Sequence, residues 1–311
     1  MKSASPYIAV VGIGAVGSLV AASLRRAGHS VLLVSSKAGT QRLRRQGLTT
    51  VDTKGKRRTL KGWLSIEHKP KKRAGCSAII VCVKEPQLTA ALKAIRPLIG
   101  PETAGLSLLN GIAHAAAFKR CFGPRRAVLG ITFFGAMRTS PTVARHTGGA
   151  LIAFGRNTRN ANARRHLAKL LKGAGWHIKQ FADEQRLLWT KMVFNSGVNP
   201  LGALTHASNG HLAKHPVLRE LMGRVVREAA GIARAAGHPP LYPNVTAVLE
   251  RNCRARGEQK NSMVQDMIAG RRSEIDSILL PLLRAAKRHG RPTPLLAPLY
   301  RMVRALEVEL K

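Results

Sequence analysis

Carboxylates are scarce in this chain: 15 Asp and Glu stand against 52 Lys and Arg in 311 residues, a formal net charge of +37. An acidic surface is thereby excluded, and anions of every kind are attracted, from phosphorylated cofactors and small acids to nucleic acid and anionic lipid. Aromatic residues are also sparse, at 4%, so the core is aliphatic and no aromatic-rich strand resembles an RNA-binding sheet. The four cysteines, at 76, 82, 121 and 253, form no C-x-x-C pair. Nothing in this spacing suggests a disulfide framework or a zinc finger, which points to a reducing, cytoplasmic setting with Cys82 as a small core residue. No apolar run is long enough to span a membrane. The stretch YIAVVGIGAVGSLVAASL could pass for a signal sequence, but its first half is β-branched and RRAGHSVLLV continues it with a second strand. It reads as the start of the fold, with no targeting segment.

The cations are dispersed. Clusters occur at 54–61, 69–73 and 119–126 and along 156–172 and 271–288, which favours a basic solvated surface over specific nucleic-acid recognition. Weak, nonspecific binding of polyanions at low salt is expected. Hydrophobic residues make up 45% of the chain, enough for a packed core, and the length predicts two domains.

Strand-like and helical stretches alternate first. IAVVGIG (8–14) and SVLLVSS (30–36) read as strands around a helix at 15–28, and AIIVCVK (78–84) is a buried strand followed by a helix at 87–100. GLSLLN (105–110) and AVLGITFF (127–134) continue the alternation. This pattern predicts an α/β fold: right-handed βαβ units in a parallel, doubly wound sheet of Rossmann type. Beyond residue 180, long amphipathic segments at 183–198, 215–236, 243–270, 272–289 and 295–310 predict an all-α domain. The expected division is an NADP-binding Rossmann-type domain over 1–180 and an α-helical substrate domain over 181–311.

Between the first strand and helix lies GIGAVG, residues Gly12, Ile13, Gly14, Ala15, Val16 and Gly17. Gly12 permits a tight turn, Gly14 lets backbone approach a pyrophosphate, and Gly17 lets the helix pack close to the strand. The helix N-terminus then presents free N–H groups to the diphosphate. An NAD site normally carries Asp or Glu about 20 residues further on. Here SSKAGTQR supplies Ser35, Ser36, Lys37 and Arg42, and no acidic residue precedes Asp52. Hydroxyls and cations accept a 2′-phosphate, so NADPH/NADP+ is the expected cofactor.

VCVKEPQ (81–87) sets Lys84 at the carboxyl end of a strand, where α/β sheets bind ligands; a snorkelling surface lysine fits the position equally. LLNG ends another strand with Asn110 on the same edge, and is also an ordinary turn signal. In LWTKMVFNSGVNP (188–200), Lys191, Asn195 and Asn199 recur every four residues, so they share one helical face, and Pro200 is expected to end the helix or open the next segment. Such a polar line facing a cleft would hold a small oxygen-rich anion, although solvation and capping account for it as well. Ser262, Asp266 and Glu274 lie in KNSMVQDMIAGRRSEID (260–276), where the carboxylates have Arg271 and Arg272 as alternative partners.

Taken in order, GIGAVG, VCVKEPQ, LLNG, WTKMVFNSGVNPLGALT and NSMVQDMIAGRRSEID resemble the ketopantoate reductase (2-dehydropantoate 2-reductase) family, from residue 7 to HGRPTPLLAPLYRMV at 289–303. The K-x-x-x-N-x-x-x-N-P and S-x-x-x-D…G-R-x-x-E-I-D patterns carry the likeness more than the glycine loop does. The resemblance implies reduction of ketopantoate to pantoate by NADPH, a step towards pantothenate and coenzyme A. It implies Lys191 as general acid and Asn195, Asn199, Asn209 and Ser262 as holders of the substrate's carboxylate and hydroxyl. Glu274 would lie near the lysine and the nicotinamide ribose, while Lys84, Gln87, Asn110 and Ala136 would line the cofactor and the cleft. The chain departs from the family pattern in having Ser36 where an arginine usually clasps the 2′-phosphate, Glu85 after Val83-Lys84, and Leu279-Leu280 before Pro281 in place of Asn-Gly. The expected partner is a small 2-oxo acid, with no metal, no membrane and no specific nucleic acid; a homodimer is compatible with the sequence. The alternatives are a paralogue reducing another branched 2-oxo acid, an idle NADP-binding regulator, and a nucleic-acid-associated protein.

Overall fold

A computed structural model describes residues 6–62 and 64–309. Residues 1–5, which precede the signal-like run, and residue 310 of the expected closing segment lie outside the described residues. The chain forms two compact units, Met1–Leu109 with His114–Glu184 and Asn110–Ala113 with Gln185–Lys311.

The first unit runs β1 (Tyr7–Val11), α1 (Ala15–Arg26), β2 (Ser30–Val34), α2 (Lys37–Gln46), β3 (Leu48–Val51), β4 (Arg57–Leu60), β5 (Ser65–Glu67) and β6 (Cys76–Val81). It continues with α3 (Leu88–Ile95), β7 (Ala104–Ser107), α4 (Ala115–Phe122), β8 (Ala127–Thr132), β9 (Gly135–Ser140), β10 (Val143–Gly148), β11 (Leu151–Gly155), α5 (Ala161–Gly173) and β12 (His177–Phe181). Eight strands form one sheet in the order β12-β11-β8-β7-β6-β1-β2-β5. From β8 to β5 every neighbouring pair is parallel, and the central strands are buried continuous apolar runs, as a sheet covered on both faces requires. The parallel, doubly wound sheet expected from the alternation is found, with one antiparallel pair towards its edge, where β11 runs antiparallel to β8. The chain leaves β8 through the β9–β10 hairpin instead of a helical crossover, and such a return re-enters antiparallel.

That hairpin belongs to a second sheet, β4-β3-β10-β9, which the sequence hides because β4 (RRTL) and β9 (GAMRTS) carry little apolar alternation. Helix α1 packs against strands of both sheets. Covered on two sides, it has no solvent face from Gly17 to Leu24, where every residue is buried. Trp176 closes the layer, its indole N–H donating to Ser23 Oγ at 2.7 Å.

The second unit is helical: α6 (Glu184–Thr205, opening on the last residue of the first unit), α7 (Asn209–Lys214), α8 (Pro216–Ala235), α9 (Val245–Arg256), α10 (Ser262–Ile268), α11 (Ile275–Arg288) and α12 (Leu296–Glu309). Two expectations are corrected. Pro200 lies inside α6 and does not end it; the residue is buried, and packing around the helix outweighs the one N–H that proline cannot supply. The segment 243–270 is two helices, because Gly257 takes φ +49° after α9 and the Asn261 side chain then caps α10, accepting from Met263 N–H at 3.0 Å and Val264 N–H at 3.1 Å. No helix among the described residues is long and apolar enough to cross a membrane.

At the start of α4, His114 is 1% exposed, and neither ring nitrogen has a hydrogen-bond partner among the described residues. Burial pushes its pKa down to about 4. An unfolded histidine titrates near ~6.5, so between the two values the unfolded chain binds more protons and stability falls as pH drops. In urea unfolding at pH 7 and pH 5, the wild type should lose about 2 kcal/mol more than His114→Leu over that interval. Equal losses would show that the imidazole is not held neutral.

Candidate active site

The glycine loop lies where the strand order reverses. β2 flanks β1 on one side and β6 on the other, and the loop is tied to both. Gly12 N–H donates to the Val34 carbonyl at 3.0 Å, and Cys82 N–H donates to the Val11 carbonyl at 2.7 Å. Open α/β sheets bind ligands at this switch point. The three glycines answer different demands. Gly12 takes φ +86°, and a Cβ there would lie 2.8 Å from Val83 N. A Cβ on Gly17 would strike the Gly12 carbonyl oxygen. Gly14 has no such neighbour: nothing lies within 4 Å of the position its Cβ would take, and it opens α1 without a side-chain cap. A glycine that internal packing does not require, before uncapped N–H groups, leaves a cradle that fits a diphosphate. Ile13 is buried beneath it, and Ala15 and Val16 are half-buried.

At the end of β2, Ser36 accepts from Gly39 N–H at 3.1 Å and so caps α2, with Lys37 exposed beside it. Arg42 is half-buried, and its Nε has no partner among the described residues, a donor that an anion would satisfy. Folding also brings in a carboxylate that sequence distance concealed. Glu67 stands in register with Val34, and its carbonyl accepts from Ser35 N–H at 3.1 Å. Its charge is occupied by Arg73, 2.5 Å away. Lys84 lies three residues beyond the end of β6, where it opens the turn Glu85–Gln87, and not on the strand's last residue. Lys84 is half-buried and Gln87 exposed. Ala136 belongs to β9 of the smaller sheet, at the margin of the core.

In the second unit, the Asn110 amide donates to Glu274 Oε2 at 2.9 Å. Gly111 follows with φ +77°, and a Cβ there would collide with the Ser277 carbonyl, so the segment lies tight against α11. The neighbouring acids have other partners: Asp266 pairs with Arg271 at 3.1 Å and Asp276 with Arg272 at 2.9 Å. Glu274 is thus the carboxylate of this group that an amide holds.

Lys191, Asn195 and Asn199 share a face of one continuous helix. From Leu187 to Ala203 every residue of α6 is buried except Lys191, which keeps partial exposure. Asn195 and Asn199 are 9% and 4% exposed. Burial pushes the Lys191 pKa down to about 7; the Arg256 guanidinium pushes it the same way, and Cys253 opposes. Asn209 begins α7, is buried, and has an Oδ1 without a hydrogen-bond partner among the described residues. The turn after α9 is pinned at both ends. Asn209 N–H donates to the Gln259 carbonyl at 2.9 Å and Gly210 N–H to Gly257 at 2.7 Å, while Asn261 Nδ2 donates to the Val198 carbonyl at 3.1 Å. Asn199, Asn209 and the exposed Ser262 are thereby gathered around one turn.

Residues 8–159 match the family described as Ketopantoate reductase PanE/ApbA, and residues 183–307 match Ketopantoate reductase PanE/ApbA C terminal. The chain is 29% identical over 303 residues to a 2-dehydropantoate 2-reductase of Halobacterium salinarum, covering 96% of this chain and 97% of that one. It is 30% identical over 245 residues to the 2-dehydropantoate 2-reductase of Bacillus subtilis, covering 76% and 80%. A solved ternary structure of D-mandelate dehydrogenase with NADH and anilino(oxo)acetate is similar over 98% of this chain and 99% of that chain, with TM-score 0.89 and 27% identity. The chain belongs to the ketopantoate reductase family.

For this member of the ketopantoate reductase family, sequence reading missed two groups, Glu67 and Arg256. Arg256 closes α9 just before Gly257 and reads as an ordinary cation at a helix C-terminus; only the packing of α9 beside α6 marks it out. The glycines give a direct check on the loop. Gly14→Ala should unfold within about 0.5 kcal/mol of the wild type, because space is open and φ is ordinary, whereas Gly17→Ala should lose at least ~1 kcal/mol to overpacking. Equal losses in thermal unfolding would contradict the assignment of Gly14 to a ligand.

Proposed function

We propose that the chain reduces ketopantoate to pantoate with NADPH, as a step towards pantothenate and coenzyme A. The observation that carries this reading is the single ammonium in the otherwise buried run of α6, with two buried amides on its face. When bound on the glycine loop, the dinucleotide supplies the hydride. The protein's own work is to hold and polarise the acceptor. Lys191 would donate a hydrogen bond to the keto oxygen, where negative charge grows as the carbon is reduced, and then deliver its proton to give the hydroxyl. Asn195, Asn199, Asn209 and Ser262 would orient the carboxylate and hydroxyl, and Glu274, fixed by Asn110, would stand behind the lysine. Lys37 and Arg42 would receive the 2′-phosphate in place of the arginine that Ser36 replaces.

The proton donor must be charged, so reduction should weaken with rising pH. With the Lys191 pKa near 7 in the free protein, kcat/KM for the keto acid should fall about tenfold per pH unit above that value. Lys191→Ala should lower kcat at least about 100-fold while NADPH binding, read by fluorescence, changes little; near-normal turnover in that variant would end the assignment.

Substrate and cofactor are tested by NADPH and NADH oxidation with ketopantoate and with phenylglyoxylate, the oxo acid corresponding to mandelate. The proposal expects kcat/KM at least ~10-fold higher with NADPH than NADH, and higher with ketopantoate than with phenylglyoxylate. The likeness to D-mandelate dehydrogenase supplies the second reading, an aromatic 2-oxo acid with NADH, and the reverse preferences would establish it.

A further inference from the structure

We propose that Arg256 receives the carboxylate of the substrate, so that α9 gives the preference for 2-oxo acids over neutral ketones. This rests on the reading of the chain as a 2-oxo acid reductase. Three observations converge on it.

The first is placement. Leu249, Cys253 and Arg256 recur at i, i+4 and i+7 along α9 and so share a face. Leu249 and Cys253 are 5% and 3% exposed, and a Cβ on Gly197 of α6 would lie 3.4 Å from Leu249 Cδ2. The face that meets α6 therefore carries Arg256 at its end, half-buried. The second is rigidity. The backbone after Arg256 is held by Gln259 N–H donating to the Arg256 carbonyl at 3.0 Å, and by the bonds from Asn209 and Gly210 to the turn. Arg256 thus closes a fixed helix end, on a turn whose backbone is bonded to Asn209, the buried amide whose Oδ1 lacks a partner among the described residues.

The third is chemical. In a 2-oxo acid the carboxylate is bonded directly to the keto carbon, so the group that binds it must neighbour the group that serves the keto oxygen. Arg256 is the cation whose charge reaches Lys191. Two half-buried cations repel each other, and an arriving carboxylate reverses that: its charge would offset the repulsion and favour the charged lysine that the reaction needs. The planar fork of arginine suits a carboxylate bidentately, which lysine does not match.

The test compares wild type, Arg256→Met and Arg256→Lys on ketopantoate and on its uncharged methyl ester, with NADPH binding followed separately. Arg256→Met should raise KM for the acid about 10- to 100-fold, as loss of a charge-assisted contact does. Its kcat should change less, and at a pH below ~7, where the lysine is charged in both proteins, its kinetics on the ester should stay near those of the wild type. The preference for acid over ester then collapses, and the alkaline limb of kcat/KM moves up in pH. Arg256→Lys should keep part of the preference, which also separates a charge effect from misfolding. A wild-type acid-to-ester ratio in either variant overturns the inference alone. A wild type that reduces no 2-oxo acid with NADPH overturns the underlying reading, and this inference with it.

Discussion

The middle of helix α6 has almost no contact with water. From Leu187 to Ala203 only Lys191 keeps any appreciable exposure, and the rest of the second unit is arranged around that condition. A helix buried on every side must carry small residues where its neighbours cross and must satisfy its polar groups internally. Gly197 lets Val226 and Leu249 close in, and Gly202 leaves room for the Asn261 amide. The hydroxyls of Thr190 and Ser196 return to carbonyls of their own helix at 2.6 and 2.8 Å. In such surroundings an ammonium is among the costliest groups to keep charged. Its pKa falls towards neutrality as a direct result, and the same burial that penalises the charge would match it, as the proposed proton donor, to a neutral solution.

The scarcity of carboxylates gives each one weight. Several of the 15 occupy joints of the fold. Glu184 holds Lys119 at 2.6 Å, and Glu228 accepts from the N–H groups of Leu295 and Leu296 at the start of α12. Glu307 accepts from Ser273 N–H at 2.7 Å, one residue before Glu274, and so anchors the loop that presents it. With the acids committed to such internal tasks, the surplus of Lys and Arg sets the surrounding field. That field would draw a phosphorylated dinucleotide and a small acid alike, and would weaken with ionic strength.

What the sequence disclosed and what it hid follow one physical line. The glycine loop, the βαβ alternation and the family patterns are local, because a tight turn, a buried strand or a four-residue spacing leaves its mark within a few residues. The antiparallel return of β11 and the four-stranded sheet were not legible, since β4 and β9 are polar and acquire their strand geometry by pairing. Pro200 misled for the same reason: intrinsic preference gave way to packing on all sides. Glu67 and Arg256 are long-range facts. One depends on β5 lying beside β2, the other on α9 lying beside α6, and neither has a local signal.

The similarity in fold to a D-mandelate dehydrogenase is compatible with the proposed reduction of a 2-oxo acid, because such acids share their reacting groups. Every 2-oxo acid offers the same keto oxygen and carboxylate, and a lysine and an arginine that address those two groups would serve any of them. Discrimination must come from the remaining substituent, where apolar contacts alone separate candidates by only about 1–3 kcal/mol. A buried polar group of the protein does far more, because a substrate that leaves it unpaired is penalised by the full cost of desolvation. Asn209 is such a group: 5% exposed, with its Oδ1 unpartnered among the described residues. An acceptor of that kind calls for a hydroxyl donor. Ketopantoate carries one and phenylglyoxylate does not, so on the proposed reading the amide at the start of α7 would weigh towards the hydroxylated acid, where the lysine and the arginine would be indifferent.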